Sequence, residues 1–590
     1  MNGSAPGPKY LQKIFSTPQN SEFYSKFAYT DLDPGHREIR LVQLSIENDL
    51  VSCQFHLHRL EEVKGKYYAL SYFAGSPHNS RRVLVEGIPF NVFANLEYAL
   101  RQVLSLWRRS PPPQDEAQSF PLIWVDQICI DQHNDDERSH QVNFMRDIYS
   151  NCRETIVSLS LDGRDSPVPE NGGSAVSSTI AWMDKLDEKF FASERWASRA
   201  APPSDIAIRK TLLYNLGDEK FMQGWLSFYD FFEMPWWRRA WVQQEFICSP
   251  AVVFMHGDES IGWSSIAKFL PALLRTLQDI SLSEYMFGVL LNLLKFNFEP
   301  SFVEQKLRDV SEREEQWLWH VLSRGHVAMN AMAGVETLVR IKQTWRGDED
   351  LKKMLSLSRH CHSSDPRDRV FAFLGLADRG YAISADYSAS NTLEEVLVDT
   401  ARRIVNFDGD LGILSYATGR RADSHDGVAR LPSWAPDWTV DSASQRLNGF
   451  ALLPRSFHKP LPDRFRPLVT VQSRGGSSTA VLRMVGHKVD SIQHGLPVWD
   501  NNARHGAFKT DDGHCIRSQG LCKQGDEVWC LIGAKWLFVL RPMGDEGLYI
   551  LVGGAEEITV QNEPADRMDL RIIMEGMISG ASRLETVHLL

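Results

Sequence analysis

Between residues 67 and 160, apolar runs too short for helices alternate with stretches of helical period, and this alternation constrains the fold more than any other feature. YYALSYFAG, residues 67–75, reads as a buried strand ending in a small-residue loop. VLVEGIPF follows as a hairpin around Gly87. From Asn91 the period changes: Val92, Leu96, Ala99, Leu100, Val103 and Trp107 share one helical face, with Asn91 as the expected N-cap. PPPQDEAQ, from Pro111, breaks that helix. LIWVD, residues 122–126, is a continuous apolar run of the kind buried on both faces of a parallel sheet. A second helix is expected to start at Asp135 or Asp136 and to bury Val142, Met145, Ile148 and Tyr149. TIVSLS, residues 155–160, is the next strand, and AVVFMHG, residues 251–257, closes the module. The order strand–helix–strand–helix–strand predicts an α/β module built on a parallel sheet with right-handed crossovers.

The rest of the chain divides around this module. Residues 1–40 are polar with Pro and Gly and read as an N-terminal arm. The module takes residues 41–257, opening on strands near 39–46 and 51–57 and interrupted by an insertion at about 161–222, whose Gly/Ser/Pro-rich start reads as an exposed loop. Residues 258–460 carry mainly helical periodicity, as in PRDRVFAFLGLA and LEEVLVDTARRIV. Residues 461–590 alternate and turn often, which predicts a small antiparallel β unit.

Composition narrows the function classes. Hydrophobic residues at 43% and charged residues at 24% suit buried cores, and 17 Trp and 30 Phe make those cores aromatic. A net charge of −11 argues against nucleic acid as the main partner, because phosphate backbones need a clustered basic face. The first residues hold Pro and Gly where a signal peptide has its apolar stretch, and the longest apolar run, residues 286–294, is too short to span a bilayer. A cytoplasmic protein with no membrane partner is therefore expected. Eight Cys without a C-x-x-C pair read as reduced, buried thiols. His360-Cys361-His362 and His56-x-His58 lack a partner pair at zinc spacing, so no metal is expected. Neither a P-loop nor a Gly-x-Ser-x-Gly elbow occurs.

Four stretches together resemble the fungal heterokaryon-incompatibility (HET) domain: YYALSYFAG; IWVDQICIDQHNDDERSHQVNFMRDIYSNC from Ile123; WWRRAWVQQEF from Trp236; and DPRDRVFAFLGL from Asp365, with DYSAS following. One departure is Ala74, where the family has Trp. The module also resembles a TIR domain, a flavodoxin-like parallel-sheet fold, and Trp241-Val242-Gln243-Gln244-Glu245 fits the helix that carries the TIR glutamate. The resemblance implies self/non-self recognition and programmed cell death, with Glu245 as the residue that cleaves the nicotinamide–ribose bond of NAD. Ser71, Tyr72, Phe73, Asp126 and Trp241 would then line the NAD site, and NAD would be a substrate, with no bound cofactor. An alternative is a non-catalytic module that signals by self-association through the loop from Cys129 to Arg138, or by recruiting an unknown protein partner.

The chemistry permits a one-carboxylate site. Nicotinamide leaves neutral from a cationic pyridinium, so no general acid is required, and one carboxylate facing the oxocarbenium-like ribose suffices. Each residue also has a structural reading. Glu245 can pair with Arg238 or Arg239. Asp126 can cap a loop, and Glu137 can favour the positive end of a helix dipole. Gln141 can bond neighbouring backbone, and Trp236, Trp237 and Trp241 can belong to a core. Asp365, Arg367 and Asp368 can form an ion-paired helix cap.

Overall fold

In the computed structural model of the protein, the apolar runs of the module pair side by side. The structure describes residues 17–112, 120–159, 182–183, 211–212, 215, 217–256, 259–281, 311–417, 431–440, 462–474, 477–496, 506–518, 521–544, 547–558, 573, 576–577 and 582–590. Most of the insertion expected at 161–222 lies outside these residues. The chain divides into two units, Met1–Arg346 and Gly347–Leu590.

The first unit opens with helix α1 (Pro18–Lys26). The hairpin β1 (Glu38–Glu47) and β2 (Leu50–Arg59) follows, then β3 (Tyr67–Tyr72) and a second hairpin, β4 (Ser80–Val85) and β5 (Ile88–Phe93). Helix α2 (Ala94–Arg109) leads to β6 (Leu122–Trp124), and the short α3 (Asp126–Cys129) and α4 (Asp135–Asn151) lead to β7 (Glu154–Ser158). Then come α5 (Glu219–Glu233), a 3-10 turn (Pro235–Arg238), α6 (Val242–Cys248), β8 (Val252–His256) and β9 (Glu259–Gly262). Helices α7 (Trp263–Ser281) and α8 (Glu312–Thr344) complete it.

These nine strands form one sheet in the order β5-β4-β2-β1-β6-β3-β7-β8-β9. Its centre is parallel: β6 with β3, β3 with β7, and β7 with β8. Numbered among themselves in chain order, these four strands lie as 2-1-3-4. The all-parallel expectation needs correction at the flanks, where β1 runs antiparallel to β2 and β6, β4 to β5, and β8 to β9. For β1 with β2 and for β4 with β5 the cause is the connection. Asn48-Asp49 and Glu86-Gly87 all take positive φ, the two-residue turn that joins antiparallel neighbours, whereas a parallel neighbour needs a crossover of a dozen or more residues.

Three local expectations also change. Asn91 does not cap α2. It sits in β5, with its N–H donating to Asn20 Oδ1 at 2.7 Å and its carbonyl accepting from Asn20 Nδ2 at 3.0 Å, so the α1 side chain takes the place of a neighbouring strand. Asp126 does not end β6 but opens α3, because the strand stops at Trp124. Helix α4 is capped by Asn134, whose side chain accepts from the N–H groups of Asp136 and Glu137. Most of the helical faces fall as the periodicity requires: Leu96, Ala99, Leu100 and Val103 of α2, and Met145, Ile148 and Tyr149 of α4, are buried, whereas Val92 lies in β5 and Val142 is only half-buried. Pro235 starts the 3-10 turn, and the helix that carries Glu245, α6, begins at Val242. An aromatic core of Phe231, Trp236, Trp237, Phe246 and Phe254 packs there with ring centroids 4.8–6.4 Å apart.

The second unit starts with α9 (Leu351–Ser358), α10 (Asp368–Leu374), α11 (Leu393–Asp408) and α12 (Leu414–Ala417). Arg367 pairs with Asp365 at 2.8 Å and donates to the carbonyls of Ser388 and Asn391 at 3.1 and 2.9 Å, while the Tyr387 hydroxyl donates to Asp368 at 2.5 Å. Asp365, Arg367 and Asp368 thus tie the start of α10 to the DYSAS segment. The strands are β10 (Leu468–Arg474), β11 (Ser477–Leu496), β12 (Gly506–Thr510), β13 (Cys515–Ser518), β14 (Glu527–Leu531), β15 (Leu537–Pro542), β16 (Leu548–Glu557) and β17 (Glu585–Leu589). All pair antiparallel except β16 with β17, and the pairing of β11 with β14 closes a ring of six around Ile492, Ile516, Val528 and Val539.

Candidate functional site

The site grows from the tip of β3, a strand buried along its whole length. Period-2 alternation sends Tyr67 toward α4, where its hydroxyl bonds the Ile148 carbonyl, and Tyr68 toward α2, 5.4 Å from Trp107. Ser71 shares the face of Tyr67. Its hydroxyl donates to Glu245 Oε2 and accepts from the Trp236 indole at 2.8 Å. Arg239 Nη1 lies 3.7 Å from the same carboxylate oxygen and donates to the Tyr72 carbonyl. The Tyr72 hydroxyl donates to Asp126 Oδ1 at 3.1 Å, and the Gln127 N–H donates to that oxygen at 2.7 Å. The cluster therefore sits at the carboxyl ends of the parallel strands, the edge where open α/β sheets hold ligands.

The carboxylate is sealed. Glu245 is 2% exposed. One guanidinium serves two carboxyl groups, and burial pushes both Glu245 and Asp126 above the usual carboxylate range against the opposing pull of Arg239. Helix α6 is fixed from behind: Lys342 of α8 donates to the carbonyls of Phe246 and Ser249, and burial lowers its pKa to about 8. Ser249 Oγ bonds the Glu245 carbonyl at 2.6 Å.

Of the residues singled out in the sequence, Ser71, Tyr72, Asp126 and Glu245 are brought together. Phe73 follows β3 and Trp241 precedes α6; both are partly exposed, and neither side chain joins the hydrogen bonds of the cluster among the described residues. The ion partner of Glu245 is Arg239, which lies before α6, whereas Arg238 is exposed. Trp236 is both core and donor, being 1% exposed and bonded to Ser71. Among the described residues no group of three His, Cys, Asp or Glu is placed to hold a metal.

Sequence reasoning missed Arg40. This β1 residue is 3% exposed and forms a two-pronged pair with Glu137 of α4, at 2.5 and 2.9 Å. Arg40 also donates to the Cys129 carbonyl at 3.0 Å, and Glu137 accepts from the Asp131 N–H at 2.8 Å. The pair pins both ends of the loop from Cys129 to Arg138. The one local signal was a lone Arg inside an apolar strand. Gln141 bonds backbone, donating to the Glu38 carbonyl at 3.2 Å.

Residues 67–245 match the model of the family described as Heterokaryon incompatibility protein (HET). This stretch is similar to the HET family. The HET match starts on the first residue of β3 and ends on Glu245, so it holds the whole cluster and leaves Arg40 outside. A similar protein is heterokaryon incompatibility protein 6, OR allele, of Neurospora crassa, 26% identical over 455 residues. The alignment takes in 70% of this chain and 59% of that relative, so the chain spans less than two thirds of the relative's length. No solved structure matches the chain. Among the described residues no helix is long and apolar enough to cross a membrane.

The electrostatics of the cluster give a pH test. A carboxyl whose folded pKa is raised takes up protons on folding, so its ionised form costs stability as pH rises above the unfolded value near 4.3. Glu245→Gln keeps the shape and an acceptor for Ser71 but carries no charge. Its stability relative to wild type should rise between pH 4 and pH 7.5, as read by urea unfolding at both values. A gap that is constant or moves the other way contradicts the buried, charge-deficient cluster.

Proposed function

We propose that this chain acts in the cytoplasm in fungal heterokaryon incompatibility, in self/non-self recognition that leads to cell death, and that its HET domain works by association rather than by bond cleavage. The observation that carries the mode is the burial of Glu245, whose carboxylate is already engaged by Ser71 and Arg239 and has no exposed surface for a ribose. The loop from Cys129 to Arg138 supplies an association surface. Its inner residues Cys129, Ile130 and Glu137 are buried, while His133, Asp135 and Asp136 face outward. Asp136→Lys should weaken self-association severalfold in light scattering, at a stability cost of about 1 kcal/mol or less from the helix dipole. Unchanged association would remove the loop from the proposal.

A second reading, NAD cleavage of TIR type, is favoured by one observation: the 2-1-3-4 strand order, that of flavodoxin-like sheets, places Glu245, Ser71 and Asp126 at one carboxyl edge. Water would add to the ribose carbon as nicotinamide departs, and Glu245 would face the developing positive charge. A ribose reaches the carboxylate only if the groups that bury it move. The two readings separate on nicotinamide release from NAD by the purified chain. Association predicts none; release that Glu245→Gln abolishes establishes cleavage instead.

A further inference from the structure

On the α2 side of the sheet edge, one buried amide uses only its acceptor half. Gln127 is 3% exposed, and its Oε1 accepts from the Phe93 N–H at 3.3 Å. Phe93 is the N-cap of α2, so this hydrogen bond places the Gln127 amide at the first turn of that 16-residue helix. Nε2 of the same amide has no hydrogen-bond partner among the described residues. The N-cap residue Phe93 makes no side-chain cap hydrogen bond, and the Ala94 N–H goes to the Asn79 carbonyl at 2.9 Å. A helix N-terminus carries partial positive charge and converging N–H groups, and here a buried side-chain donor is added to it.

We propose that the N-terminus of α2, together with Gln127 Nε2, binds the phosphate of a nucleotide. The position suits this. β3 passes through α2 to β6 on one side, and β6 passes through α4 to β7 on the other, so the gap between the tips of β3 and β7 is the topological switch point of the sheet. Asp126, next to Gln127, is partly exposed and accepts hydrogen bonds. It repels a bare phosphate but suits a ribose hydroxyl, which favours a nucleotide over free phosphate. Glu97 in the first turn is neutralised by Arg101. The loop that would admit the ligand is the one after β3. It is partly exposed from Phe73 to Pro77, turns at Gly75 with φ +79°, and touches the helix end through Asn79. Glu245 takes no part, so the site stands whether or not the protein cleaves NAD.

Calorimetric titration of the full chain with ADP, adenosine and inorganic phosphate tests the assignment. ADP should bind saturably, with adenosine and phosphate each weaker by about tenfold or more. Gln127→Leu, which removes the donor, and Gln127→Glu, which replaces it with an acceptor, should each weaken ADP by about tenfold or more. If either variant fails to fold, the other and the three-ligand comparison on wild type still decide. No ADP binding by wild type, unchanged affinity in a folded Gln127 variant, or phosphate binding as tightly as ADP overturns the nucleotide site.

Discussion

Arg40→Ala should destabilise the first unit by about 3–5 kcal/mol, because it leaves Glu137 buried without its counter-charge. The loss has two parts that chemical denaturation and hydrogen exchange separate. The global part is the uncompensated carboxylate. The local part is release of the loop from Cys129 to Arg138, whose Cys129 carbonyl and Asp131 N–H are held by the pair. Amide exchange across residues 129–134 should therefore speed up more than exchange in β3 or β7. Replacing both partners, Arg40→Met with Glu137→Leu, should recover much of the global loss, since a well-packed apolar pair often matches a buried ion pair. It should not restore loop protection, because the bonds to Cys129 and Asp131 stay broken. An Arg40→Ala protein as stable as wild type would show that the pair contributes nothing.

Glu245 gives the second large effect, through a contrast between two substitutions. Glu245→Ala removes the acceptor of Ser71 and an ion partner of Arg239 and opens a void behind β3, for a loss of roughly 2–4 kcal/mol. Glu245→Gln keeps volume and acceptor and should stay within about 1 kcal/mol of wild type at neutral pH. Equal losses would mean that charge, not shape and hydrogen bonding, holds the cluster. The contrast also decides how alanine data on this residue are read: loss of activity in Glu245→Ala reports unfolding as much as chemistry, and only the glutamine form isolates the carboxylate.

How far the sequence reached depended on whether a signal was local. The strand at 67–72, the faces of α2 and α4 and the hairpin at Gly87 were legible because side-chain period and turn chemistry are written in neighbouring residues. The mixed sheet was less so: strand–helix–strand order implies parallel pairing, but where the β1–β2 hairpin docks depends on its fit to the free edge of β6, which no local pattern encodes. Asn91 shows the same limit, since its strand role comes from Asn20, 71 residues earlier. In the site, Glu245, Ser71 and Asp126 were found by resemblance and are brought together by the fold, while Arg40, 97 residues from Glu137, and the half-used amide of Gln127 were visible only in three dimensions.

The most direct test of the association proposal is growth arrest on expression in a compatible fungal strain, comparing wild type with Glu245→Gln at matched protein levels. The buried-cluster account predicts that the glutamine form arrests growth as wild type does. Loss of arrest by a soluble, stably folded Glu245→Gln protein would contradict it and make the carboxylate the working group.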